Sequence, residues 1–168
     1  MNALRFHAFN LMPYPYIPPT AEIESTWVSL SNKYYEPQRG RQLYAEYIDQ
    51  LVASEKYGFD SIGVNEHHAN FYGTMPSPNI IAAMLIQRTQ QIPIGVIGNA
   101  IPLHGNPLRV AEEIAMLDVI SGGRIISGFV RGIGCEYFNN GIAPGDSVDR
   151  FFEAHDLIVK AWTDDGMA

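Results

Sequence analysis

Two spacings of apolar residues run through this chain: short unbroken apolar runs, and longer stretches in which apolar residues recur every three or four positions. Leu4 to Phe9 reads as a first strand ending at Asn10. Tyr44, Ile48, Leu51 and Val52 mark the apolar face of a helix that closes near Gly58. Ser61 to Val64 is a second strand running into Asn65-Glu66-His67-His68. Ser77-Pro78 opens another helix, with Ile80, Ile81, Met84 and Leu85 expected inward. Pro93 to Ile101 is a third strand, and its interior Gly95 and Gly98 suggest close approach of a backbone or a ligand. At Asn106-Pro107 the signal is stronger. Asn accepts from free first-turn amides, and Pro at the first helical position gives up no needed donor. Val110, Ile114 and Leu117 then share a stripe until Gly122-Gly123 ends the helix. Ile125, Ile126, Phe129 and Val130 predict a strand buried on both faces, closing on Arg131. Phe151, Ala154, Leu157, Ile158 and Ala161 trace a last helix that fades at Asp164-Asp165-Gly166.

The order is therefore strand then helix, four times, with strands two to four starting about 30 residues apart, the size of a right-handed βαβ unit. A doubly wound sheet and part of an eightfold barrel both produce this period. Residues 11–39 interrupt it with Pro13, Pro15, Pro18, Pro19 and Pro37 among Tyr14, Tyr16, Trp27, Tyr34 and Tyr35. A loop of this length inside a domain is more often functional than idle. It reads either as a surface excursion packed by its own aromatics or as a substrate-facing lid.

Composition narrows the function classes. The 168 residues are 46% hydrophobic and 17% charged, as expected of one globular domain, and the net charge is −7 with no basic run. Nucleic acid and anionic membranes are not expected partners. Cys135 is the single cysteine, so no internal disulfide forms. The start carries no leader pattern and no apolar run approaches the roughly 20 residues of a membrane span, so a cytoplasmic location is expected.

Each strand ends in a polar residue: Asn10, then Asn65-Glu66-His67, then Asn99, then Arg131. The C-terminal strand ends of a parallel sheet share one face, so these side chains converge on a candidate site. His67 and His68 are adjacent on extended chain and point to opposite sides, so a shared metal ion is not expected. His67 suits a proton carrier or hydrogen-bond donor, and His68 a structural role. The guanidinium of Arg131 suits a phosphate, with Gly132 and Gly134 allowing backbone amides to approach; the alternative is a salt bridge at the rim. Gly132-Ile133-Gly134 lacks the third glycine of a dinucleotide fingerprint. No G-x-S-x-G elbow occurs and Cys135 has no evident paired base, so covalent catalysis is not expected.

Four stretches, taken in order, resemble bacterial luciferase-like flavin-dependent monooxygenases: Tyr57-Gly58-Phe59-Asp60-Ser61 leading to Glu66-His67-His68; Asn106 to Glu113; Leu117 to Arg124; and Gly128-Phe129-Val130-Arg131-Gly132. The resemblance covers most of residues 4–163. It implies an α/β fold of the (β/α)8 TIM-barrel type, with residues 1–168 forming the first four βα units, a partial barrel with a Pro/Tyr-rich insertion at about 11–39. It further implies reduced FMN, or in some branches F420, bound at the strand C-termini, with O2 and a small organic substrate, and FMN supplied by a separate flavin reductase. His67 matches the active-site His and Arg131 the Arg that grips the flavin phosphate. A non-proline cis peptide falls near Ile97-Gly98. Ile97, Gly98, Asn99, Val130, Arg131 and Gly132 are thus cofactor-binding candidates, and Asn65, Glu66 and Asn10 are substrate-facing or supporting ones.

Two departures qualify this. The luciferases proper carry a reactive Cys where this chain has Val130, so a non-luminescent oxygenase is expected. Relatives run to well over 300 residues, so the chain is expected to be a fragment, inactive or incomplete alone, or to close against a second copy or a complementing chain. The competing readings are an F420-dependent hydride-transfer enzyme and a non-catalytic flavin-binding or assembly module.

Overall fold

Four parallel strands form one sheet in the order β1 (His7–Phe9), β2 (Ser61–Val64), β3 (Ile94–Ala100), β4 (Ile125–Val130). The computed structural model describes residues 4–19 and 22–166. Helices α1 (Pro37–Lys56), α2 (Pro78–Arg88) and α3 (Pro107–Ser121) make the three crossovers, and a short α4 (Gly134–Asn140) precedes α5 (Ser147–Thr163). Strictly sequential strand order has no reversal point. Right-handed crossovers then leave every connecting helix on the same face. A doubly wound sheet differs in reversing its strand order at a switch point.

The core lies between sheet and helices. Ile62, Val64, Ile94 and Val96 pack with Ile48 and Leu51 of α1, Ile81 and Leu85 of α2, Ile114 and Leu117 of α3, and Ile158 of α5. The helix boundaries follow local chemistry. Asn106 accepts from the Leu108 amide at 3.1 Å, Pro107 occupies the first position, and Gly122 takes the left-handed backbone (φ 71°) that stops α3. Among the described residues no helix is long and apolar enough to cross a membrane.

Several expectations need correction. The first strand is shorter than Leu4 to Phe9, covering His7–Phe9, and α1 starts at Pro37, inside the expected 11–39 insertion. Ile81 and Leu85 point inward, but Ile80 and Met84 are exposed, because an 11-residue helix over a sheet buries a narrower stripe than its apolar content suggests. β4 is not buried on both faces: Ile125 and Phe129 pack on the core while Ile126 and Val130 stay open. Among the described residues no strand lies beyond β4, so it is an edge of the sheet. Helix α4 had no signal in the apolar spacing, being seven residues long.

Candidate functional site

The polar strand ends do meet. A cavity of about 550 Å³ at the C-terminal end of the sheet is lined by Asn65, Glu66, His67, Ile97, Gly98, Val130, Arg131 and Gly132, eight of the ten site residues expected from sequence. Phe9, Leu11, Tyr72, Ile133 and Glu136 complete the wall. Its volume is in the range typical of small-molecule sites. The floor is shaped by glycines: Ile97 lies across Gly63, with its Cδ1 2.8 Å from where a Cβ at Gly63 would stand. The Ile97-Gly98 peptide is cis. Gly98 lies so close to β4 that a Cβ there would stand 2.4 Å from the Gly128 carbonyl oxygen.

His67 is held from three sides. Its Nδ1 lies 3.0 Å from Oε1 of Glu136, whose side chain is only 1% exposed. An ionised carboxylate only accepts, so Nδ1 carries the hydrogen and Nε2 is left for a ligand. Tyr72 packs edge-on against the imidazole, ring centroids 5.2 Å apart. Gly73 backs the ring from the other side, since a Cβ there would come within 2.7 Å of His67 Cδ2. Glu136 is itself fixed by the Ile133 amide, which donates to Oε2 at 2.8 Å. Sequence reasoning missed Glu136. The acid sits three residues after the helix start, as in a capping box, but the starting residue is Ile133 in place of Ser or Thr, which hides the pattern.

The adjacent histidine faces the other way, as alternation on extended chain requires. His68 Nε2 lies 2.6 Å from Glu66 Oε1, and His104 Nε2 lies 3.3 Å from the same carboxylate. The Ala100 amide donates to Glu66 Oε2 at 2.9 Å. Burial alone pushes the Glu66 carboxyl up, yet hydrogen bonds from His104, His68 and the Ala100 amide outweigh it and bring the group down to about 2. The same contact with Glu66 raises His68 against the opposing effect of burial.

Arg131 is exposed at the cavity rim and makes no side-chain hydrogen bond or ion pair among the described residues, so the rim salt bridge does not form. Its carbonyl accepts from the Tyr137 hydroxyl at 2.8 Å, which fixes the backbone beneath it. Asn65 lines the cavity and is 5% exposed, and its buried amide oxygen has no hydrogen-bond partner among the described residues. A buried acceptor left unpaired is costly and marks a place for a donor. Cys135 is buried on α4, and burial together with the Glu136 charge raises its thiol, leaving it inert.

Two expected residues, Asn10 and Asn99, stand outside the cavity lining, and Glu66 borders it with its carboxylate already occupied. Asn10 does not line the cavity. Its amide oxygen accepts from Met12 N at 2.7 Å and its NH2 donates to Gln50 of α1 at 3.1 Å, so one end is committed to the turn after β1 and the other to the helix. Asn99 is 1% exposed and is not in the cavity lining; it follows the irregular pairing between Val96 and Asn99. Glu66 borders the cavity, but its carboxylate is fully buried and occupied, so it supports the wall without reaching a substrate.

Comparisons with known proteins give the family and the fold. The sequence profile of the luciferase-like monooxygenases matches residues 24–167. The 4-hydroxyprotoasukamycin monooxygenase of Streptomyces nodosus subsp. asukaensis is 34% identical over 122 residues, 72% of this chain and 31% of that protein. The oxygenase component of the flavin-dependent trigonelline monooxygenase of Acinetobacter baylyi is 33% identical over 97 residues, 58% of this chain and 27% of that one. The chain thus spans about a third of the length of these relatives. Among solved structures, the oxygenating constituent of 3,6-diketocamphane monooxygenase from Pseudomonas putida, in complex with FMN, superposes with a TM-score of 0.73 at 21% identity, covering 95% of this chain and 40% of that one. An F420-dependent secondary alcohol dehydrogenase with an F420-acetone adduct gives a TM-score of 0.65 at 23% identity, covering 74% and 40%.

Proposed function

Because the chain belongs to the luciferase-like monooxygenase family, we propose that its cavity holds reduced FMN and that the whole protein oxidises a small organic substrate with O2. The observation that carries this reading is a single cavity bordered by an imidazole fixed through one nitrogen, a cation without an internal partner, and an orphaned buried acceptor. These features fit the group. A phosphate answers Arg131, and a flavin ring N–H answers the Asn65 amide oxygen. When bound, reduced flavin supplies the two electrons with which O2 gives one atom to the substrate and releases the other as water.

The chain's own residues do the rest. Arg131 and the backbone at Gly132 bind the phosphate end. Ile97, Val130 and Phe9 present an apolar surface that excludes water beside the ring. Glu136 holds the Nδ1 hydrogen of His67, so that Nε2 takes or gives a proton at the reacting end. Val130 offers no thiol, and the reaction proceeds without light. A separate reductase delivers the reduced flavin. The second reading, hydride transfer with F420, draws on the F420-dependent structural neighbour.

The test compares two variants with the wild type. His67→Ala keeps FMN affinity within several-fold but lowers oxygenation by about 10²-fold or more, the usual scale for a lost proton carrier. Arg131→Ala weakens FMN binding by roughly 1.5–3 kcal/mol, the worth of a hydrogen bond to a charged group. Swapped phenotypes overturn the roles, and binding of F420 without FMN moves the reading to hydride transfer.

A further inference from the structure

We propose that Glu66, His68 and His104 form a hydrogen-bonded clamp that positions the cavity wall by tying the C-terminal ends of β2 and β3 to the turn that follows β3. One carboxylate, 0% exposed, is shared by two imidazoles whose side chains are 24% and 35% exposed. Its other oxygen accepts from the last residue of β3, Ala100. The three donors come from different places: His68 follows β2, Ala100 ends β3, and His104 closes the turn Ile101–Leu103 before α3. Two site elements therefore hang on the clamp: His67 is flanked by Glu66 and His68, and Ile97-Gly98 leads directly into Ala100. The described acids and bases facing this cluster are Glu66, His68, His104 and, across the cavity wall, Glu136 of α4.

The chemistry makes the clamp depend on protons. A carboxylate buried this deeply is held as an anion only by its donors, and a charged imidazole is a much stronger one than a neutral imidazole. While His68 carries its proton, the pair is charge-matched and the strand ends stay joined. As pH rises and that proton leaves, the anion loses its charged donor at Oε1, and the segment from Ala100 to His104 loosens. The His68 side chain is 24% exposed, so its proton exchanges without unfolding. Glu66 and His68 are positioning residues here, acting on His67 and the β3 turn without touching a ligand. The clamp needs no flavin; only its effect on flavin binding rests on the reading above.

The test uses imidazole NMR, amide hydrogen exchange and FMN titration on the full chain, wild type beside Glu66→Gln, which keeps the shape and removes the charge. In the wild type, His68 titrates above the ordinary imidazole value of about 6.5, and protection of the Ala100 amide falls at least tenfold across that titration. In Glu66→Gln, His68 titrates at least one pH unit lower, and Ala100 protection no longer follows it. FMN affinity of the wild type drops several-fold over the same pH range, whereas that of the variant is flat. If Glu66→Gln does not fold, His104→Gln serves: the raised His68 titration persists and exchange in residues 101–104 accelerates. A wild-type His68 that titrates at or below the ordinary value, or does not respond to Glu66→Gln, overturns the clamp. FMN affinity equal in both proteins on either side of the titration overturns its role at the site and leaves the flavin reading intact. A wild type that binds no FMN but shows the expected His68 titration overturns the flavin reading and leaves the clamp.

Discussion

Two arginines at the ends of β4 show how one residue type serves opposite purposes. Arg124 spends its guanidinium inside the protein: NH1 donates to Thr89 Oγ1 and Ile92 O, NH2 to Ile86 O, and Nε to Ser121 O, at 2.9 to 3.1 Å. It thereby satisfies carbonyls at the end of α2 and fastens that helix to the start of β4. Arg131 spends nothing. Arg124→Ala should therefore lower stability by roughly 2–4 kcal/mol, through several buried carbonyls left unpaired. Arg131→Ala should stay within about 0.5 kcal/mol. Urea unfolding of both variants decides it, and equal losses would count against Arg131 as a free cation. Nothing in the Gly122-Gly123-Arg124 string distinguishes the two arginines, since all but one of the partners of Arg124 named above lie more than 30 residues earlier. At the same scale, Glu66 and His68 set opposite limits on the pH dependence of stability. Glu66 is lowered from 4.5 to about 2, so its contribution is present above pH 4.5 and is lost as pH falls toward 2. His68 is raised from 6.5, so its contribution is full below 6.5 and is lost as pH climbs through the raised value. Stability measured against pH should hold a plateau between these limits, and Glu66→Gln should flatten both flanks. Glu66 was read from sequence only as a strand-end polar group and His68 only as structural, because burial depth and partners leave no trace in residue type.

At the scale of elements, the start and stop signals were legible and the side-chain partners were not. β2 and α2 fall where the apolar runs and Ser77-Pro78 put them, and α3 begins at Asn106-Pro107 and ends at Gly122 as its caps demand. Helix α4 escaped because its first turn is Gly134-Cys135-Glu136, without an apolar stripe or a side-chain cap at Ile133. Yet α4 carries the acid that pairs with His67, so the element sequence reasoning omitted supplies the partner of that imidazole. Its position depends on Gly132, whose φ of 88° is open to glycine, and where a Cβ would stand 3.0 Å from Glu136 Oε2. Gly132→Ala should cost about 1–2 kcal/mol and displace Glu136. In NMR, the Nδ1–H signal of His67 should weaken or vanish in the variant. If that signal persists unchanged, the link from Gly132 through Glu136 to His67 is broken.

Taken whole, the molecule keeps its two sheet faces in different states. The helix-covered face is closed. On the other, Phe9, Ile97, Ile126 and Val130 are between 39% and 50% exposed, and β1 and β4 are open edges among the described residues. Sequence showed that the strands are apolar, but an apolar strand covered by this chain and one awaiting cover from elsewhere have the same composition, which is why β4 was read as buried on both faces. Parallel strands are rarely left uncovered, and open edges pair readily with other chains. An apolar face of this kind marks a surface meant to be covered. The 168-residue chain alone should therefore self-associate at micromolar concentration and bind a hydrophobic dye. Ile126→Lys places a charge on the open face and should reduce both effects, with little change in the circular dichroism of a sheet whose core side is untouched. Light scattering across a concentration series reads the first, and dye fluorescence the second. A chain that stays monomeric and dark to the dye would show that the face is tolerated in water, and the argument from exposed strand residues to a missing cover would fail at its physical premise.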